Sequence, residues 1–111
     1  MTVTSRVLIP SKDAEATDTT QYTALNVTTI IDKFTAINHS ALAATITVNL
    51  VTPATTVATS NIIVKSKTLQ PSEAYTFPEI VGHVISPSGF ISTIAGTASA
   101  ISIRASGREI S

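Results

Sequence analysis

"FTAINHSALAATITVNLV", Phe34 to Val51, decides the fold class of this chain. Leu42, Ala44, Ile46, Val48 and Leu50 alternate with Ala43, Thr45, Thr47 and Asn49, the period of two that marks a half-buried strand. One face is predicted to meet a core and the other, rich in threonine, to face water. Upstream, placing Phe34 and Ala36 inward turns Lys33 and Thr35 outward, which is a second strand of the same kind. Asn38-His39-Ser40 interrupts the two and reads as the reversal between them, because Asn tolerates positive φ and Ser bonds nearby backbone.

The same three residues invite two chemical readings, and both are weaker than a turn. Glycosylation at Asn38, or at the Asn26-Val27-Thr28 pattern, needs a secretory route, and the N-terminal Met-Thr-Val-Thr-Ser-Arg lacks the apolar run of a signal peptide. A nucleophilic Ser-His pair needs the imidazole within about 3 Å of the hydroxyl and a third group to orient it. Neighbouring residues on a turn rarely meet that geometry.

Working outward, strand-like segments recur at short intervals. Toward the N-terminus, residues 22–38 read as strand, in an ambiguous register because Ile30 and Ile31 fall on opposite faces. Beyond Pro53, Ile62 and Val64 oppose Ile63, Lys65 and Lys67; a short strand is expected around Tyr75 and Phe77, and Pro78, Gly82, Pro87 and Gly89 mark turns. Phe90–Ala95 and Ala98–Ala105 are the last strands, with Ile101, Ile103 and Ala105 on one face and Ser102, Arg104 and Ser106 on the other. No 3.6-residue period persists, so helix is limited to one turn near Pro78–Val81. The pattern predicts an all-β, single-domain β-sandwich, jelly-roll-like, with seven or eight short antiparallel strands.

The N-terminal segment is different. Val3 to Ile9 is apolar in places, Pro10 has no amide hydrogen to donate, and Ser11 to Gln21 is polar. Residues 1–20 are therefore expected to form an arm or loop, and residues 21–111 the sandwich domain.

Composition narrows the function. A chain of 111 residues forms one domain that buries roughly 65% of its unfolded surface. Seven basic residues balance seven acidic ones, so no general positive field is present to hold nucleic acid. A neutral, threonine-rich surface is poorly guarded against self-association, which suits a protein packed against neighbours. The absence of cysteine excludes disulfides and thiolate metal sites, and His39 and His83 are too far apart in sequence to suggest a metal site. No apolar run approaches the ~20 residues needed to span a bilayer, so a cytoplasmic origin is expected and no membrane partner.

Enzyme chemistry finds little purchase, and neither a catalytic residue nor a cofactor is assigned. Asp32, Glu73 and Glu79 are the carboxylates placed to form a hydrolytic pair, yet no Trp and only Tyr22, Tyr75, Phe34, Phe77 and Phe90 exist to hold a sugar. His83, between Val81 and Val84, reads as half-buried and satisfied by backbone. Lys65, Lys67, Arg104 and Arg108 read as the solvated face of a sandwich, since no aromatic residues interleave with them as a nucleic-acid platform would require.

"LQPSEAYTFPEIVGHVISPSGFISTIAGTASAISIRASGREIS", Leu69 to Ser111, together with "INHSALAATITVNLV", carries a family resemblance over roughly half of the chain. A Pro-containing turn, an aromatic strand, a segment closing at Gly82, a Pro-x-Gly turn and an Ala/Ser-rich hairpin ending in Ser-Gly-x-Glu-Ile resemble the small phage capsid decoration proteins, the cement or staple proteins, most of all those of the epsilon15-type podovirus head. The resemblance implies a jelly-roll-like virion protein on the capsid exterior, made in the host cytoplasm. It also implies that the protein binds the major capsid protein, staples neighbouring capsomers and associates with itself on the capsid, as a homodimer or in another form. It carries no site residue, and Ser72 stands where the first turn calls for glycine.

From the composition of the N-terminal segment, Val3, Arg6, Val7, Leu8, Ile9 and Lys12 are the expected capsid contacts, as anchors of an arm that orders on binding. The rival expectations are a carbohydrate-binding or adhesion module and a neck or tail component.

Overall fold

Two antiparallel sheets lie face to face in the computed structural model, which describes residues 1–111. In chain order the strands are β1 (Val3–Asp13), β2 (Thr19–Thr23), β3 (Thr28–Asn38), β4 (Ala44–Val51), β5 (Ile62–Leu69), β6 (Ala74–Tyr75), β7 (Val84–Ile85), β8 (Phe90–Ala95) and β9 (Ile101–Ile110). The only helical segment is one 3₁₀ turn, Thr59–Asn61, and no helix is long and apolar enough to cross a membrane. The first sheet is ordered β1-β9-β3-β6, with β7 also on β3, and the second β2-β8-β4-β5.

That order has a simple origin. β1 pairs with β9, β2 with β8, β3 with β6 and β7, and β4 with β5, all antiparallel, so the pairs nest like one long hairpin with β4 and β5 at its tip. Rolling that hairpin brings β9 beside β3 and β8 beside β4, which splits it into two sheets. The result is a jelly roll, with β6 and β7 as two fragments of one interrupted strand.

The fragments bring the count to nine, and the sheet backbone is longer than expected, since β1 and β3 each run for 11 residues. The long strands account for one principal extent of 46 Å against 26 and 20 Å for the others.

Alternation places the core as the sequence predicts in most strands. Phe34, Ala36, Ala44, Ile46, Val48, Ile101, Ile103 and Ala105 are all buried. Phe34 and Phe77 meet edge to face with centroids 4.8 Å apart, and Tyr75 packs on Phe77 at the same distance. Each fully buried Ile or Phe contributes roughly 1.5–3 kcal/mol to this core. The ambiguity at Ile30-Ile31 is resolved by a bulge between Ile31 and Lys33, which lets Ile31 and Phe34 both face inward.

Several expectations change. Residues 1–20 are not an arm: β1 pairs with β9 from Val3 to Asp13, and Leu8 and Ile9 are core residues. Pro10 does not end β1, because β1 is an edge strand and a missing amide hydrogen is harmless on its open side. Asn38-His39-Ser40 joins no hairpin, since β3 and β4 lie in opposite sheets, and the same is true of β8 and β9.

Leu42 precedes β4 and is 77% exposed. At the far end of β4 Asn49 is buried in place of Leu50, because the loop after β4 folds over it: the Asn49 amide donates to Ala58 O at 3.0 Å and to Asn61 Oδ1 at 2.6 Å. Lastly, the strand expected around Tyr75 and Phe77 stops at Tyr75, and Phe77 turns into the core at φ 46°.

Turn chemistry at Ser72 also follows from the structure. Gln70-Pro71-Ser72-Glu73 closes with Glu73 N donating to Gln70 O at 3.0 Å, and Ser72 sits at φ 65°. Proline at the second position and positive φ at the third define a type II turn, in which serine carries strain that glycine would not.

Candidate binding surface

The six residues expected to contact a partner share β1 but not an environment. Val3 and Val7 are 52% and 45% exposed, whereas Leu8 and Ile9 are buried, because a bulge between Val7 and Ile9 turns both inward. Leu8 and Ile9 are therefore unavailable as contacts. Lys12 is held by Glu15 at 2.8 Å, and Gln21 donates to the same carboxylate at 2.9 Å. These donors lower the Glu15 pKa, Lys12 contributing most.

Arg6 lies 3.1 Å from Glu109 on β9. Glu109 also accepts from the Tyr22 hydroxyl, which in turn lies 2.6 Å from the Thr29 hydroxyl. A carboxylate can only accept, so Tyr22 donates to Glu109 and Thr29 donates to Tyr22. Burial, then the bond to Glu109, pushes the Tyr22 hydroxyl up to about 12. Ser5, Arg6, Val7, Asp32, Ser106 and Gly107 line a depression of about 380 Å³. Arg108 binds Asp32 at its rim through two bonds of 2.9 and 3.0 Å, which depresses the Asp32 pKa and raises that of Arg108.

The opposite end of the molecule is organised by Asn38, which is fully buried. Its amide donates to Leu42 O at 2.8 Å and Leu69 O at 2.9 Å, while its carbonyl accepts from Ser40 N at 2.9 Å. Its backbone accepts from Ser72 N at 2.7 Å and donates to Glu73 O at 3.0 Å. The side chain thus ties the crossover between sheets to the end of β5, and the backbone ties it to the loop that follows. His39 faces Asp13 at 2.8 Å, pinning the end of β1 to the same crossover, and Leu42 stands out from it into solvent.

The carboxylates singled out for chemistry are separately engaged. Asp32 is held by Arg108, Glu73 accepts from Gln70 N at 2.7 Å, and Glu79 accepts from the Tyr75 hydroxyl at 2.6 Å. The Tyr75–Glu79 bond raises the tyrosine pKa and lowers that of the glutamate. No group of three or more His, Asp or Glu side chains is placed to share a metal ion. His83 is exposed rather than half-buried, because the turn that contains it bonds to β3 through its own backbone: Ile31 N donates to His83 O at 3.1 Å.

The aromatic rings are equally committed. Phe34 and Phe77 are fully buried, and Lys67 Nζ sits over the Tyr75 ring, 4.6 Å from its centroid. Lys65 and Lys67 lie on β5 in one sheet, while Arg104 and Arg108 lie on β9 in the other, so the four cations form no common patch.

Apart from Met1, sequence patterning missed the most exposed apolar side chains outside β1: Leu25 at 73%, Leu42 at 77%, Val84 at 58% and Val81 at 42%. Leu25 precedes Asn26, which sits at φ 59°, and Leu42 follows the Asn38-His39-Ser40 break; the turn residues beside each are the signal that marks them. β3 separates the two connections that carry Leu25 and Leu42, so they stand at opposite ends of the sandwich. Comparison of the chain with protein-family models, with curated proteins and with solved structures finds no match.

Proposed function

We propose that the protein is a structural virion component that binds the outside of a phage capsid and staples neighbouring capsomers, acting by binding alone. The observation that carries the reading is the placement of exposed apolar side chains at both ends of a neutral sandwich, Leu42 at one and Leu25 with Val84 at the other. A staple needs two contact regions separated by its own length, and an exposed apolar side chain at each end gives each region apolar surface to bury against a partner. The jelly roll and the family resemblance support the same reading. Each contact is repeated many times over a closed shell, so modest individual affinity suffices.

Reconstitution tests it. Heads stripped of small outer proteins are expected to rebind the purified chain at hundreds of copies per particle and to resist heating better when decorated. Leu42→Asp and Leu25→Asp are expected to lower occupancy while leaving the isolated protein folded. A protein that never binds heads would sink the proposal, and six or twelve copies per particle would point to a neck or tail component. Point variants replace truncation here, because removing β1 would take Leu8 and Ile9 out of the core.

A further inference from the structure

We infer that residues Val3–Val7 form the interface between two copies of this chain, paired antiparallel about a two-fold axis at Ser5. The inference goes beyond the proposed function and does not depend on it.

Each sheet edge except this one is guarded. β6 and β7 are two residues long, and β2 has five with a register shift between Thr20 and Tyr22. β5 carries Lys65 and Lys67 and is kinked at Ser66, whose φ is 47°. The second half of β1 has Pro10, two register shifts and the charges of Lys12 and Asp13. These are the devices that stop edge strands from pairing with other chains. Val3–Val7 has none of them: its register on β9 is continuous from Val3↔Ile110 to Val7↔Ser106, and its one charge, Arg6, is paired with Glu109.

Hydrogen-bond alternation shows which groups are open. Thr2 and Ser111 exchange both backbone bonds at 3.0 Å. In an antiparallel ladder such pairs alternate, so Thr4 and Arg6 also bond β9, while Val3, Ser5 and Val7 direct their amides and carbonyls away from it. A strand laid on this edge must offer open groups at the same spacing.

A second copy does so. With Ser5 opposite Ser5 of the other copy, Val3 falls opposite Val7 and Val7 opposite Val3, and each pair exchanges two bonds. The same register sets the exposed valines against each other, covering the apolar surface that makes this edge unlike the others. Thr4 falls opposite Arg6, so no like charges face one another. Val-x-Ser-x-Val is thus its own complement under the two-fold axis, as an isologous contact requires.

Sedimentation velocity of the full chain, with no shells present, tests this. The parent is expected to show a concentration-dependent dimer. Ser5→Pro removes an amide hydrogen that has no partner within the fold, so it is expected to leave the melting transition in place and raise the dimer dissociation constant about thirtyfold, the loss of two central bonds. Val3→Lys with Val7→Lys is expected to give monomers, and Val3→Lys with Val7→Glu to recover the dimer, because position 3 of one copy meets position 7 of the other.

A parent that stays monomeric up to ~1 mM, or a dimer unmoved by Ser5→Pro, would overturn the interface. A lysine–glutamate variant no more dimeric than the dilysine one would overturn the register. Failure of head binding by a chain that dimerises in this way counts against the capsid reading alone.

Discussion

Asn38→Ala is expected to destabilise the protein by about 2–4 kcal/mol without unfolding it. The largest part comes from Leu69 O, whose bond to the Asn38 amide is buried. Left without a donor, that carbonyl costs ~1–3 kcal/mol in lost solvation. Leu42 O, Ser40 N and the Ser40 hydroxyl, the other side-chain partners, are only partly buried, and water replaces Asn38 there at a cost of about 1 kcal/mol in all. For a domain of this size the sum lowers the melting temperature by roughly 8–16 °C.

Urea and thermal unfolding monitored by circular dichroism measure it, with His39→Ala and Ser40→Ala as comparisons, each expected to lose less than ~1 kcal/mol. Asn38→Asp keeps the size but turns an acceptor toward two carbonyl oxygens. It is therefore expected to be worse than alanine at neutral pH and to recover in acid, where a protonated carboxyl again donates. A loss below ~1 kcal/mol for Asn38→Ala, or an equal loss for His39→Ala, would refute the view that the Asn38 side chain holds the crossover together.

The remaining predictions concern charge and backbone. Tyr22, raised to about 12, favours its protonated form in the fold, so its contribution is complete below the ordinary tyrosine pKa and is lost as pH rises from ~10 through the folded value; Tyr22→Phe is expected to flatten the alkaline limb of a stability–pH curve. Asp32, lowered by Arg108, acts in the opposite direction: its contribution is present above the ordinary aspartate pKa and disappears as pH falls through the lowered one, and Asp32→Asn is expected to reduce that acid sensitivity in denaturant titrations. Gly107→Ala would drive a Cβ into Ile30 O, forcing β9 and β3 apart, and is expected to remove at least ~3 kcal/mol by urea titration. Ser72→Gly relieves positive φ and is expected to stabilise the protein by about 0.5–1 kcal/mol in the same assay.

Much of the fold was legible in alternation. A period of two in Phe34–Ala36, Ala44–Val48 and Ile101–Ala105 identified which side chains are buried, because a strand with one wet face has no other way to arrange them. The candidate surface was legible only in part. Val3 and Val7 are exposed as an outward contact requires, but Leu8 and Ile9 are equally apolar neighbours, and only the bulge between Val7 and Ile9 sends those two inward. Leu42 continued the alternation of β4 on paper and left it in space, since the Asn38 amide holds Leu42 O in the crossover before the strand begins.

Local pattern, then, determined that this chain makes strands, where most of them turn inward, and that two sheets must share a core. Only the tertiary structure decided which strand lies beside which. The Asn38-His39-Ser40 break looks alike whether the chain folds back as a hairpin or crosses to the other sheet, because side-chain alternation reports burial and not the identity of the hydrogen-bonding neighbour. Pairing of β1 with β9, from the two ends of the chain, depends on backbone groups that every residue carries, and it turned an expected arm into an edge strand. That step also left Val3, Ser5 and Val7 with open backbone groups, a property of the sheet that no residue in β1 announces by itself.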